Sequence, residues 1–173
     1  MDGLTDFDRA ALLASPGFVL TVLMAGACWR LRRQTGGIAA VGGNGLQFGA
    51  RLHGEAAWRC LPATPPRGTR LPGHDGTAAL GAIGDSAVLD FCGLGGQALA
   101  AAPALQDEWR TLLPEDVLQR RDAVLDAATG LVDPARVAAH RRAPLVNLAI
   151  LDQAGAAGLV GRGFYAPDPA LFR

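Results

Sequence analysis

The sequence predicts an α+β fold, and three observations carry that reading. A long apolar stretch with helix signals stands near the start, at Pro16 to Trp29. A two-residue hydrophobic alternation comes after a tight-turn dipeptide at Asn44-Gly45. A short apolar run of strand length, Leu145 to Leu151, stands near the end. Strand signals interleaved with helix signals, including an antiparallel hairpin, predict a single α+β domain over residues 1–173. A helical segment at 1–35 would pack on a glycine-rich α+β body at 36–173.

Taken in order, Thr5 is placed to cap a short helix carrying Phe7, Ala10, Ala11 and Leu12. Ser15 then stands as N-cap with Pro16 at the first helical position, where its missing N–H costs nothing. This second helix, PGFVLTVLMAGACW, is apolar on every side, which predicts a buried central helix. Arg30, Arg32 and Arg33 suit the negative end of its dipole, and Gly36-Gly37 stop it. Ile38 to Val41 and the alternating Leu46, Phe48, Ala50 and Leu52 form a hairpin across Asn44-Gly45. Ala57 to Leu61 is a candidate third strand of the resulting mixed sheet. Pro62 to Gly76, rich in proline and glycine, reads as a loop long enough to be functional.

Helical patterns resume after Asp85-Ser86, which reads as a capping pair. They are interrupted at Gly93 to Gly96 and again at Pro103. Further amphipathic helices open at Leu113-Pro114-Glu115-Asp116 and at Asp133-Pro134, the first turning Val117, Val124, Leu125 and Ala128 inward and the second running to about His140. In the last strand, Leu145 to Leu151, Asn147 is the only polar residue. Gly155, Gly158, Gly161 and Gly163 punctuate the segment after it.

Composition excludes several functions. Half the residues are apolar, enough for a real core, and 16 basic residues balance 16 acidic ones. A neutral chain does not fit a nucleic-acid surface or a polybasic membrane patch, so neither nucleic acid nor membrane is an expected partner. Every basic residue is arginine, which removes lysine-dependent phosphate loops, Schiff-base chemistry and a lysine general base. Cys28, Cys60 and Cys92 are an odd set and form no disulfide framework. The apolar stretch is too short to span a bilayer, and Asp2, Asp6 and Asp8 ahead of it do not suit a signal peptide; a cytoplasmic location is expected.

Two motifs are weak imitations. Gly84-Asp85-Ser86-Ala87-Val88 lacks the final glycine of a nucleophile elbow. Gly93-Leu94-Gly95-Gly96-Gln97-Ala98 matches a dinucleotide fingerprint, but no acid-terminated second strand stands at the right distance. His53, His74 and His140 have no paired spacing, so no metal and no cofactor is expected.

The glycine distribution is more informative. Clusters at Gly42 to Gly49, Gly73 to Gly84, Gly93 to Gly96 and Gly155 to Gly163 would let backbone N–H groups converge on an anion. The plainer reading is that they allow tight turns and close packing. Asn147 has a similar pair of readings, a backbone-bonded amide or a ligand group.

At these clusters the chain resembles a bacterial family, one subunit of oxamate carbamoyltransferase, which acts in anaerobic allantoin breakdown. The stretches that carry the resemblance are AVGGNGLQFGARL at 40–52, GAIGDSAVLDFCGLGGQALAAAPAL at 81–105 and PLVNLAILDQAGAAGLVGRG at 144–163, with ASPGFVL at 14–20 and Pro72-Gly73. The chain is similar to the carboxy-terminal part of that subunit. Leu89-Asp90-Phe91 departs from the family pattern after GDSA, and Arg162 stands where a small residue is usual.

The resemblance implies part of a carbamoyltransferase that handles a small anion such as carbamoyl phosphate, oxamate or oxalurate, in a homo-oligomer or with other carbamoyltransferase subunits. The residues expected to bind that anion are the backbone at Asn44, Gly45, Gly93, Gly95 and Gly96, the side chains of Asp85 and Ser86 as orienting groups, Arg51 or Arg70 as charge, and Asn147; no catalytic residue is assigned. The competing expectation is a non-catalytic oligomerisation or interaction module retained from a longer protein.

Overall fold

A computed structural model describes residues 5–173, so Asp2 lies outside the described residues. The order of elements is α1 (Asp6–Ala14), α2 (Pro16–Arg32), β1 (Ile38–Asn44), β2 (Gln47–Leu52), β3 (Arg59–Pro62), β4 (Arg67–Arg70), β5 (Ile83–Gly84), α3 (Ala87–Phe91), a 3-10 segment Gly95–Ala101, α4 (Pro103–Glu108), α5 (Val117–Val124), α6 (Pro134–His140), β6 (Val146–Leu151), β7 (Leu159–Tyr165) and a final 3-10 turn, Pro169–Phe172. This is the α+β class that the sequence predicts.

The N-terminal helix pair forms as expected. Thr5 and Asp8 make a reciprocal capping box at the start of α1. The expected burial of α2 is not found. Among the described residues of α2 the buried ones are Ala27 and Leu31, whereas Phe18, Val22, Leu23 and Trp29 are all close to half exposed or more. The reason is geometric: α2 meets α3 and β1, where Met24, Ala27, Cys28 and Leu31 pack on the core, and among the described residues most apolar side chains of its first half stay exposed. His53 fastens the far end through its ring nitrogen Nε2, 2.8 Å from the Leu31 carbonyl oxygen.

In place of one mixed sheet there are two antiparallel ones, ordered β3-β2-β1-β5 and β4-β7-β6. The first is built on the predicted hairpin, with Gly43 opposite Phe48. The second contains two strands that glycine and proline content hides. Arg67–Arg70 lies inside the expected loop, yet it pairs with Arg162 and its neighbours in β7, which itself occupies the late glycine-rich segment. Pairing supplies the hydrogen bonds, and small residues let the backbones approach. Asp85-Ser86 does precede a helix, but Ser86 makes no side-chain cap bond. The helix after Asp116 ends at Val124 rather than continuing toward Gly130, and Leu125 forms a bridge to Val132.

This layering produces two apolar clusters. The main core joins the end of α2, both faces of α3, β1–β2 and the inner residues of β6, including Phe48, Phe91, Val146 and Tyr165. A smaller cluster of Leu99, Trp109, Leu145 and Phe164 lies on the opposite side of the β6–β7 hairpin. Between that smaller cluster and the exposed half of α2 the packing leaves a pocket.

Candidate functional site

The pocket has a volume of about 580 Å³. Its walls are mainly apolar, from Leu20 of α2, Leu71, Leu105, Trp109 and Leu159. Its polar groups are few: Ser86, Asp90, Asn147 and Arg162. A concave, mostly apolar cavity with a small number of converging polar groups is the usual form of a small-molecule site.

Asp90 is its chemical centre. All five residues of α3 are buried, so this short helix carries a carboxyl group into the protein interior. A buried carboxylate must be hydrogen-bonded to be tolerated. Its Oδ1 accepts from the backbone N–H of Gly96 at 2.5 Å and from that of Asn147 at 3.1 Å. Its second oxygen has no partner among the described residues. Burial pushes the carboxyl up to about 7, against the downward pull of the Gly96 and Asn147 amides. The group is therefore poised to gain or lose a proton near neutrality.

The Gly95–Gly96 segment is shaped around this carboxyl. Gly95 has φ +50, and a Cβ there would run into the Asp90 carboxyl; a Cβ on Gly96 would strike the backbone carbonyl of Leu145. Next along the chain, the Gln97 side-chain amide donates to that same Leu145 carbonyl at 2.5 Å, fixing the 3-10 segment to the start of β6. Asn147, the second residue of β6, lines the pocket, and its Oδ1 is buried with no partner. Arg162 of β7 lines it too. That guanidinium donates to the Glu108 carboxylate through Nε, at 3.1 Å, and through Nη2. The bonds from Arg162 hold Glu108 below the usual carboxylate range.

The ten residues singled out from sequence do not share one place. Ser86, Gly95 and Asn147 line the pocket, and Gly96 donates into it through Asp90. Asn44 and Asp85 line a different cleft of about 320 Å³, beside Trp58, Cys60 and Gln47. There the Asn44 side-chain oxygen is already used, accepting from the N–H groups of Leu46 at 3.0 Å and Gln47 at 2.7 Å to close the hairpin. Gly45, at φ +86, forms that turn beneath Leu80. Gly93, at φ +79, backs onto the Gly130 carbonyl after α3. Arg51 lies on β2 opposite Ala40, and Arg70 on β4 opposite Gly161; neither lines the Asp90 pocket.

Asp90, Glu108, Trp109 and Arg162 are the site residues that sequence reasoning did not single out as ligand groups. For Asp90 a signal was present: it is the one charged residue in the apolar run AVLDFC. Among the described residues no group of three or more histidine, cysteine or acidic side chains is arranged to hold a metal ion. No single described helix is long and apolar enough to cross a membrane.

Comparison with known proteins identifies the scaffold. A family model for oxamate carbamoyltransferase subunit AllG matches residues 8–86. The oxamate carbamoyltransferase subunit AllG of Escherichia coli (strain K12) is 28% identical over an alignment of 191 positions, covering 99% of this chain and 45% of that protein. The uncharacterized protein YahG of the same organism is 28% identical over 146 positions, covering 75% of this chain and 31% of YahG. A conserved protein of unknown function from Enterococcus faecalis V583 shares the fold, with a TM-score of 0.64 at 23% identity over 79% of this chain and 37% of that one. The chain thus spans less than half the length of each of these relatives. Motif order, the family model over residues 8–86 and the alignment over 99% of this chain agree in what the chain is similar to, the family of the oxamate carbamoyltransferase subunit AllG.

Proposed function

We propose that the chain is the ligand-holding part of a carbamoyltransferase-type subunit, and that its Asp90 pocket seats a small amide-bearing carboxylate of the oxamate or oxalurate class. The observation that carries this reading is the pairing of an unpartnered Asn147 side-chain oxygen with the Asp90 carboxyl in one apolar-walled cavity. Both are acceptors when Asp90 is ionised, and a buried acceptor left unpaired costs about 1–3 kcal/mol. An amide NH₂ offers two donors in one plane and would satisfy them together. The carboxylate end of such a ligand has Arg162 at the rim, whose remaining N–H donors are not committed to Glu108. The backbone N–H groups of Gly96 and Asn147 would serve the ligand indirectly, by fixing Asp90. Similarity to the oxamate carbamoyltransferase subunit AllG supports this choice of ligand class.

Thermal melting with oxamate, oxalurate and carbamoyl phosphate tests the proposal. A ligand at one hundred times its Kd adds about 2.7 kcal/mol of stability, a clearly visible shift. Asn147→Leu, which keeps the bulk and removes the acceptor, should weaken oxamate binding at least tenfold. No shift with any of the three ligands defeats the proposal. The exposed apolar side of α2 (Phe18, Val22, Leu23) favours a second reading, a non-catalytic interaction module. A stable oligomer in light scattering together with no ligand response would select it.

A further inference from the structure

The cleft that holds Asn44 and Asp85 differs in kind from the Asp90 pocket. Its floor is the outer face of the β3-β2-β1-β5 sheet, opposite the side on which Val41 and Phe48 enter the main core. On this outer face Gly42 stands opposite Gly49, and Gly49 opposite Cys60. Neighbouring strands lie about 4.8 Å apart, so two glycines in register clear a smooth floor on which a flat ring can rest. Gly49 is needed for packing: a Cβ there would come to 3.0 Å from the Cys60 Sγ and 3.1 Å from the Trp58 ring. Gly42 has no such reason. A Cβ there would meet only the Gly84 carbonyl oxygen, at an ordinary 3.6 Å, and its backbone lies outside the left-handed region. Glycine inside a strand weakens it, and where packing does not demand one it often marks close approach by a ligand.

The walls supply one aromatic face and two polar groups. Trp58 leans on Gly49 and remains 48% exposed, so its indole is free to stack. Asp85 is the one charged side chain among the described residues that line the cleft. Its carboxylate has no ion pair or hydrogen bond among the described residues, and neither has the Gln47 side-chain amide. The Asn44 oxygen, by contrast, is spent on the hairpin. A cleft with a free carboxylate and no cation repels an anion. It suits an uncharged ligand that brings N–H donors to Asp85 and an acceptor to Gln47.

We propose that the cleft binds a guanine-type base carried by an uncharged nucleoside, lying over Gly42 and stacked against Trp58. Stacking on an aromatic side chain works for any flat base, so Trp58 supplies adhesion rather than choice. The choice comes from Asp85, whose two oxygens accept in parallel from adjacent donors in one plane. Guanine has such a pair, its ring N1–H beside the exocyclic N2 amino group, and it carries the O6 and N7 acceptors for the Gln47 amide. Adenine has an acceptor at N1 and so meets the carboxylate with a lone pair. The site does not depend on what the Asp90 pocket binds.

Titration calorimetry of the full chain with guanosine, inosine, adenosine and methyl glucoside tests the assignment. Guanosine should bind. Inosine, which lacks the N2 amino group, should bind at least tenfold more weakly, and adenosine more weakly still. Asp85→Asn and Trp58→Ala should each weaken guanosine binding at least tenfold. Gly42→Val, which refills the floor where the sheet has room for a Cβ, should abolish binding while the melting temperature stays at or above that of the parent. Guanosine monophosphate should bind no tighter than guanosine, since no cation on the wall meets its phosphate. No heat with guanosine, adenosine bound as tightly as guanosine, or guanosine affinity undiminished in both Asp85→Asn and Trp58→Ala overturns the proposal. So does binding of methyl glucoside that Trp58→Ala removes and guanosine does not displace, which would make this a sugar site.

Discussion

Two glycine-bearing turns, Asn44-Gly45 and Gly95-Gly96, look alike in the sequence and do different things in the fold. At the first, a side-chain oxygen captures two backbone N–H groups and a hairpin closes; the turn is finished by its own residues. At the second, a backbone N–H is aimed at a carboxyl group contributed by a separate helix, and the turn is complete only because Asp90 is there. Glycine clusters therefore do not by themselves mark where a ligand sits. What distinguishes the second turn is that its partner is titratable, buried and open on one side to a cavity.

The comparison can be broken most forcefully by adding side chains to the two turns. Gly96→Ala would press a methyl group into the Leu145 backbone carbonyl, which cannot move without shifting β6. Gly45→Ala meets only the end of the Leu80 side chain, though at a positive φ. Urea denaturation should show Gly96→Ala costing roughly 3 kcal/mol or more and Gly45→Ala about 1–2 kcal/mol. Equal costs would mean that the two turns are equivalent after all.

A sharper test uses pH. The folded-state pKa of Asp90 stands at about 7, above its unfolded value, so the folded protein holds that proton more tightly. The resulting stability is fully present below about pH 4, declines as pH rises toward 7, and does not change further above that. Asp90→Asn keeps an oxygen for the Gly96 and Asn147 N–H groups and removes the buried charge. It should be more stable than the parent at pH 8 by roughly 2–4 kcal/mol, with the difference vanishing near pH 4. A gap independent of pH in chemical denaturation would show that Asp90 is not the titrating group. The smallest effect is expected at the hairpin: Asn44→Ala removes the side-chain acceptor and should cost about 1 kcal/mol, with no change in pH dependence.

Much of the architecture was legible in residue order. The Thr5 cap, Pro16 at a helix start, the hairpin at Asn44 and the apolar strand holding Asn147 are local devices, and local devices leave local signatures. What was not legible was set by partners far away in the chain. Arg67–Arg70 sits among prolines and glycines and becomes a strand only by pairing with β7. The apolar character of α2 predicted burial, but composition does not say how far the body extends along a helix. The site was half legible for the same reason. Ser86, Gly95 and Asn147 stood out as unusual residues, whereas the role of Asp90 depends on three segments meeting, and Arg162 faces Glu108 only after β7 has joined its sheet.

The β4–β7 pairing also constrains how the chain reaches its native state. The β6–β7 hairpin can zip from its own turn, but its outer neighbour has to be recruited from the first half of the chain, across every helix of the middle region. Such a long closure forfeits much chain entropy before any ladder bond repays it, which slows folding. Until that edge strand docks, β7 presents an unpaired row of amides and carbonyls to whatever is nearby, so refolding yield should fall as protein concentration rises.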